Sequence, residues 1–205
     1  MKVVRSRILP AQKSFTTFAD FWPTVNSQRL IVNVNTMQTF STKKYINIFL
    51  GLGSNVGNRG SNLHLAVGLI GKNIGKIAKK SHVYETQPWG EPNQDSFYNQ
   101  VLMVNTTLDP RDVLDRISRI ERELGRERKE KWGPRIIDID ILFYGKRLIR
   151  DKGLEIPHPD LHKRAFVLVP MMEIAPDYEH PVLNKQIDEL YMDCEDSLDV
   201  VMLDY

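Results

Sequence analysis

Cysteine is the scarcest residue here: Cys194 stands alone in 205 residues. No disulfide can therefore form within the chain, and a reducing compartment, with the cytoplasm as the expected location, suits it. Cys194 also lies in the acidic stretch DCEDSLD, where neighbouring carboxylates disfavour the thiolate, so thiol catalysis is not expected. Long apolar runs are missing too, and no membrane association is expected. No phosphate loop of the GxxxxGK(S/T) type occurs, and GLGSN (Gly51 to Asn55) lacks the third glycine of a dinucleotide fingerprint. Acids are almost absent from residues 1–44, which carry seven Lys or Arg against the lone Asp20, whereas residues 188–205 carry seven Asp or Glu and no Lys or Arg. Both ends read as appendages. Residues 1–43 are expected to be a non-catalytic extension, the alternatives being a targeting segment or sequence upstream of a later start at Met37. Residues 191–205 read as an acidic tail, leaving one domain over 44–190.

That domain has ordinary globular composition, 41% hydrophobic and 26% charged over the whole chain. YINIFLGLG (Tyr45 to Gly53) predicts a strand running into a glycine turn. Leu63, Ala66, Val67, Ile70 and Ile74 predict an amphipathic helix over 62–74. Strands are predicted over 77–84 and 97–107, joined by the loop ETQPWGEPNQDS. Asp109 and Pro110 open a second helix carrying Val113, Leu114, Ile117, Ile120 and Leu124, and Gly125 stops it. The strand WGPRIIDIDILFYG follows. The order β-α-β-β-α-β is that of an α+β, ferredoxin-like core, an antiparallel sheet with helices on one face.

Within that last strand two carboxylates interrupt an apolar run. The period of two puts Asp138 and Asp140 on one face, about 6.5 to 7 Å apart, with Ile137, Ile139, Ile141 and Phe143 on the other. The preceding loop supplies Arg126, Arg128, Lys129, Lys131 and Arg135. Salt bridges to these cations are one reading of the pair. The other is magnesium, which prefers hard oxygen ligands and binds through one or two carboxylates plus phosphates, leaving the cations to meet the remaining phosphate charge. Phe97 and Asn99, two apart on a strand, present an aromatic face beside an amide, which suits a planar heterocycle; core packing is the plainer reading of Phe97.

LGSN (Leu52 to Asn55), YETQPWG (Tyr84 to Gly90), Phe97 with Asn99, GRERKEKWGPRIIDIDIL (Gly125 to Leu142) and IPHPDLHKRAFVLVP (Ile156 to Pro170) together resemble the 6-hydroxymethyl-7,8-dihydropterin pyrophosphokinases of folate biosynthesis, over about residues 45–190. The resemblance implies a ferredoxin-like fold and two magnesium ions. It also implies transfer of the pyrophosphoryl group of ATP to the pterin hydroxymethyl, with release of AMP. It places both ions on Asp138 and Asp140. Arg126, Trp132 and Arg135 match the family's catalytic loop, and Lys131 falls where members have Arg or Lys, as a phosphate contact. His158 and Arg164 match the ATP-binding pair.

For the pterin, the resemblance implies stacking between Phe97 and Phe166, with Asn99 and the loop around Thr86 and Pro88 in contact. Gln87 and Trp89 depart from some members in that loop. Glu121 matches a glutamate near metal and pterin, the alternative being a solvated helix position paired with Arg122 or Arg126. His64 and His162 receive no role. A monomer acting on small molecules is expected, and no nucleic acid: an RNA-recognition domain shares the topology but needs aromatics where Ile136 to Tyr144 has aspartates. A metal-dependent nucleotide hydrolase or nucleotidyltransferase would differ in its products.

Overall fold

The computed structural model describes residues 44–89, 94–126 and 133–204. The extension 1–43, Lys131 and Trp132 lie outside them. Five predicted elements appear with shifts of a few residues: β1 (Ile46–Ser54), α1 (Arg59–Asn73), β4 (Phe97–Thr106), α2 (Pro110–Glu123) and β5 (Asp138–Tyr144). The strand predicted over 77–84 is divided into β2 (Lys76–Lys80) and β3 (Val83–Thr86). Ser81 makes the break: its N–H donates to the Val101 carbonyl at 3.0 Å while its own hydroxyl accepts the Val101 N–H at 3.0 Å. A side chain thus replaces a ladder carbonyl, and both pieces still pair with β4. After β5 come the two-stranded sheet of β6 (Ile149–Asp151) and β7 (Leu154–Ile156), then α3 (Ala165–Ile174), α4 (Ile187–Met192) and β8 (Val200–Leu203).

The main sheet is six-stranded in the order β5-β1-β4-β3-β8, with β2 alongside β4, and its pairings are antiparallel. The helices start and stop for local reasons. The Asn58 carboxamide accepts the Ser61 N–H at 3.0 Å at the head of α1. Pro110 opens α2, and Gly125, at φ +86°, follows it in the left-handed region that glycine reaches without steric cost. Leu63, Ala66 and Ile70 of α1 and Val113, Ile117 and Ile120 of α2 bury against Ile48, Leu50, Leu102, Val104, Ile139 and Ile141. The two helices of the βαββαβ core therefore share one face, as their spacing predicts. On the opposite face α3 and α4 pack Leu168, Met171, Ile187 and Leu190 over Phe49, Val101, Leu142 and Phe143.

Two expectations need correction. Phe143 does not share a face with Ile141: a bulge leaves Leu142 unpaired between Ile141, opposite Leu50, and Phe143, opposite Phe49. The extra residue reverses the alternation, so Leu142 and Phe143 join the α3 face while Tyr144 returns to the α1/α2 face. Residues 191–205, read above as an acidic tail, contain β8, which pairs Val200–Leu203 with Thr86–Val83. The same segment caps α3, because Asp196 Oδ2 accepts the Ala165 N–H at 2.9 Å, an anion at a helix N-terminus. No described helix is long and apolar enough to cross a membrane.

Candidate active site

The glycines expected to form a turn sit inside β1 instead. Gly51 lies between Val101 and Asp140, and Gly53 between Asn99 and Asp138, in neighbouring registers. Residues opposed across a sheet point the same way, so this row puts the amide of Asn99 and both carboxylates on the α3 face with no side chain between them. A methyl at Gly53 would stand 3.1 Å from Asn99 Oδ1, tighter than an ordinary contact. The two glycines lie in the floor of a cleft of about 320 Å³, which the first turn of α3 also lines through Arg164, Phe166 and Val167. Their two-residue spacing was the available signal for this.

One wall of the cleft is flat and mostly apolar. Thr86, Trp89, Phe97, Asn99 and Phe166 line it, and Asn99 Nδ2 donates to Thr86 Oγ1 at 2.7 Å, which fixes the amide plane. Pro88 is not among the lining residues. Arg164, 8% exposed, lies 4.7 Å from the centroid of the Trp89 ring and 5.8 Å from that of Phe166. Its Nε is buried without a hydrogen-bond partner. The departure at Trp89 thus supplies an aromatic platform for the cation that heads α3.

The opposite wall is charged. Arg126, Arg135, Asp138, Asp140 and His158 line it. Asp138 takes up the salt-bridge reading in full, with Arg126 at 2.6 Å on one oxygen and Arg135 on the other. Asp140 does not: its carboxylate makes no ion pair or hydrogen bond among the described residues. Burial first, and then the Asp138 charge, hold its carboxyl well above the usual carboxylate range, against the opposing pull of Arg164 and Arg135. Glu121 is neither solvated nor in the cleft lining. It is 3% exposed, ion-paired to Arg126, and accepts the Ile139 N–H at 3.0 Å, so it ties α2 to β5 behind the aspartates. Burial, opposed chiefly by Arg126, raises its carboxyl as well.

His158 is placed by the bulge. The unpaired Leu142 offers its carbonyl to the His158 N–H at 3.0 Å, and His158 Nδ1 accepts the Asp160 N–H at 3.2 Å, leaving the ring proton on Nε2. Burial, then Arg164, lowers the ring from its ordinary 6.5 to about 4, so it is neutral at physiological pH. A depressed histidine contributes stability that is complete above its unfolded value and lost as pH falls through the folded one. Wild-type stability should accordingly fall by about 2 kcal/mol between pH 7 and pH 5 from this residue. His158→Asn should remove that share of the dependence, as read by urea unfolding at the two pH values; identical slopes would contradict the burial argument.

Among the described residues no group of three or more His, Cys, Asp and Glu is assembled for a metal. The protein offers the two carboxylates, and the unpaired Asp140 fits a hard divalent cation that completes its shell with water and phosphate oxygens. A flat apolar wall with an oriented amide facing a wall of guanidinium and carboxylate groups defines a class: an enzyme cleft suited to a planar heterocycle beside a polyanion.

Comparison with known proteins agrees. The family model described as 7,8-dihydro-6-hydroxymethylpterin-pyrophosphokinase matches residues 49–176, and the chain belongs to that family. It is 46% identical over 142 residues to a 2-amino-4-hydroxy-6-hydroxymethyldihydropteridine pyrophosphokinase of Aquifex aeolicus, covering 69% of this chain and 88% of the relative. To the protein of that name from Bacillus subtilis it is 37% identical over 142 residues, covering 69% and 85%. The crystal structure of wild-type Plasmodium falciparum HPPK-DHPS superposes with a TM-score of 0.60 at 22% identity, over 73% of this chain and 45% of that longer one, a likeness of fold.

Proposed function

We propose that this protein transfers the pyrophosphoryl group of ATP to the hydroxymethyl oxygen of 6-hydroxymethyl-7,8-dihydropterin, releasing AMP, as a step of folate biosynthesis. The observation that carries this is the union of two unlike walls over one glycine floor, the ring wall of Phe97, Asn99 and Phe166 and the charged wall of Arg126, Arg135, Asp138 and Asp140. The pterin edge needs matched donors and acceptors, each unpaired one costing about 1 to 3 kcal/mol, and the Thr86-held amide of Asn99 provides both.

Asp138 and Asp140 would hold two magnesium ions, which when bound neutralise phosphate charge. The rest of the work belongs to the chain. His158, as an Nε2 donor, and Arg164 bind the nucleotide, while Arg126 and Arg135 take the charge that builds on the departing AMP. The ring wall holds the hydroxymethyl oxygen in line with the β-phosphorus. The new bond joins that oxygen to the β-phosphorus; the bond from the β-phosphorus to the oxygen bridging the α-phosphate breaks, AMP keeps that oxygen, and the hydroxyl proton is released. Lys131 and Trp132 are assigned to the phosphate side by the family pattern alone.

Product analysis tests this. ATP, magnesium and the pterin should yield AMP and pterin pyrophosphate in equal amounts, with neither formed when the pterin is omitted. ADP as the dominant nucleotide, or AMP released at the same rate without the pterin, overturns the assignment.

A further inference from the structure

Asn55 is the first residue beyond β1 and is 2% exposed. Nothing in the substrate walls requires it, yet its polar groups are spent on Arg135 of the charged wall and on the segment that leads into the ring wall. Its main-chain N–H donates to the Arg135 carbonyl at 3.0 Å, and its Oδ1 accepts the Arg135 N–H at 2.7 Å. Both main-chain polar groups of Arg135 are therefore held by one residue. The other end of the amide points away, with Nδ2 donating to Gln94 Oε1 at 3.1 Å and reaching the Asp95 carbonyl at 3.5 Å. Gln94 lines the cleft, and the chain from it runs directly into Phe97 of the ring wall.

Asn55 consequently bridges, from beneath the cleft lining, the two chain segments that carry the two chemistries. On one side stands Arg135, whose guanidinium pairs with Asp138. On the other stands the segment that delivers Phe97 and Asn99. We infer that Asn55 is a positioning residue for the reaction: it fixes Arg135, and through it the charged wall, in register with the ring wall. The inference rests on the reading of the cleft as a pyrophosphoryl-transfer site.

The residue type follows from the geometry. Both a donor and an acceptor are needed, at the end of a two-carbon reach, in a buried place. Aspartate keeps the acceptor for Arg135 and loses the donor toward Gln94. Leucine keeps the volume and loses both. Serine is too short, and glutamine is longer by one methylene in a packed site.

Transfer catalysed by alignment is sensitive to displacement, a misplacement of about 1 Å costing on the order of a hundredfold. Asn55→Leu should lower kcat by about that factor, with KM for ATP and for the pterin each changing far less than kcat. The loss should nearly vanish in an Arg135→Ala background, because the side chain whose placement Asn55 governs is then gone. A purely structural role predicts the same fold-loss in both backgrounds, and that result, or wild-type kcat in Asn55→Leu, overturns the inference. Should Asn55→Leu fail to fold, Asn55→Asp serves: it should affect KM for the pterin more than KM for ATP, and equal effects would overturn the assignment.

The brace can also be read without catalysis. Exchange of the Arg135 amide hydrogen should be at least about tenfold faster in Asn55→Leu than in wild type, and unchanged exchange overturns the inference. A wild-type protein that makes no AMP in the pterin assay defeats the transfer reading, while the exchange measurement still judges the brace.

Discussion

Asp140→Asn is expected to lower turnover by several orders of magnitude and, at neutral pH, to leave the ligand-free protein more heat-stable than wild type. Both effects come from one carboxylate. The Asp140 carboxylate has no ion-pair or hydrogen-bond partner among the described residues, is half-buried, and faces the Asp138 charge across one strand period. Removing its charge removes a formal ligand charge from the proposed magnesium site, hence the loss of turnover. It also removes a desolvation cost and a repulsion, for a gain of about 1 kcal/mol or more. The sign with pH follows. A carboxylate whose folded pKa is raised contributes stability that is present below the ordinary value near 4 and lost as pH rises through the raised one.

The variant's advantage should therefore open between mild acid and neutrality and close again in acid. Asp138→Asn makes the contrast, because Asp138 is paired with Arg126 and Arg135: it should lose turnover and stability together. Thermal unfolding and steady-state turnover at saturating magnesium, measured on both variants, check this. Wild-type turnover in Asp140→Asn would falsify the ligand assignment, and a lower melting temperature than wild type at pH 7 would defeat the electrostatic account.

Glu121→Ala should destabilise the fold by about 3 kcal/mol or more, a loss composed of several parts. The Ile139 N–H, buried at the head of β5, loses its acceptor at about 1 to 3 kcal/mol. The missing side-chain carbons leave space between α2 and the sheet, and Arg126 is left with Asp138 alone. Glu121→Gln retains an acceptor of the same shape and gives up only a charge that burial already disfavours, so about 1 kcal/mol is expected. Urea unfolding distinguishes them by midpoint at constant slope. Equal losses in the two variants would mean that the ion pair, and not the strand anchor, is what Glu121 contributes.

The two-residue and four-residue periods of the chain carry most of the central architecture. The order of elements, the shared face of α1 and α2, and the face common to Asp138 and Asp140 all follow from them. In two places where a strand prediction went astray, a single residue had changed the pattern. Leu142 inserted into β5 turned Phe143 to the other face, and Ser81 substituted its hydroxyl for a ladder carbonyl and cut one strand in two. Neither event has a periodicity of its own.

Glu121 was legible in part. It falls four residues after Ile117, on the buried stripe of α2, a position that a solvated glutamate would not occupy. Gly51 and Gly53 were readable as a floor once counted as strand residues two apart. Asn55 was not, since its partners Arg135 and Gln94 are distant in sequence and only the registers of β1 against β5 and against β4 bring them to it. The acidic character of residues 188–205 concealed β8, whose pairing with β3 depends on an edge that local composition does not reveal.

That edge strand has a kinetic consequence. Leu203 pairs with Val83, so the ring wall, where Thr86 holds Asn99, is completed by one of the most distant pairings in the described chain. Closing so long a loop costs entropy before any contact repays it, which makes this edge late to form and early to open. Refolding should restore protection of the β1, β4 and β5 amides before those of β8. The cleft floor would then exist for an interval as a surface with charge on one side and no finished aromatic wall on the other.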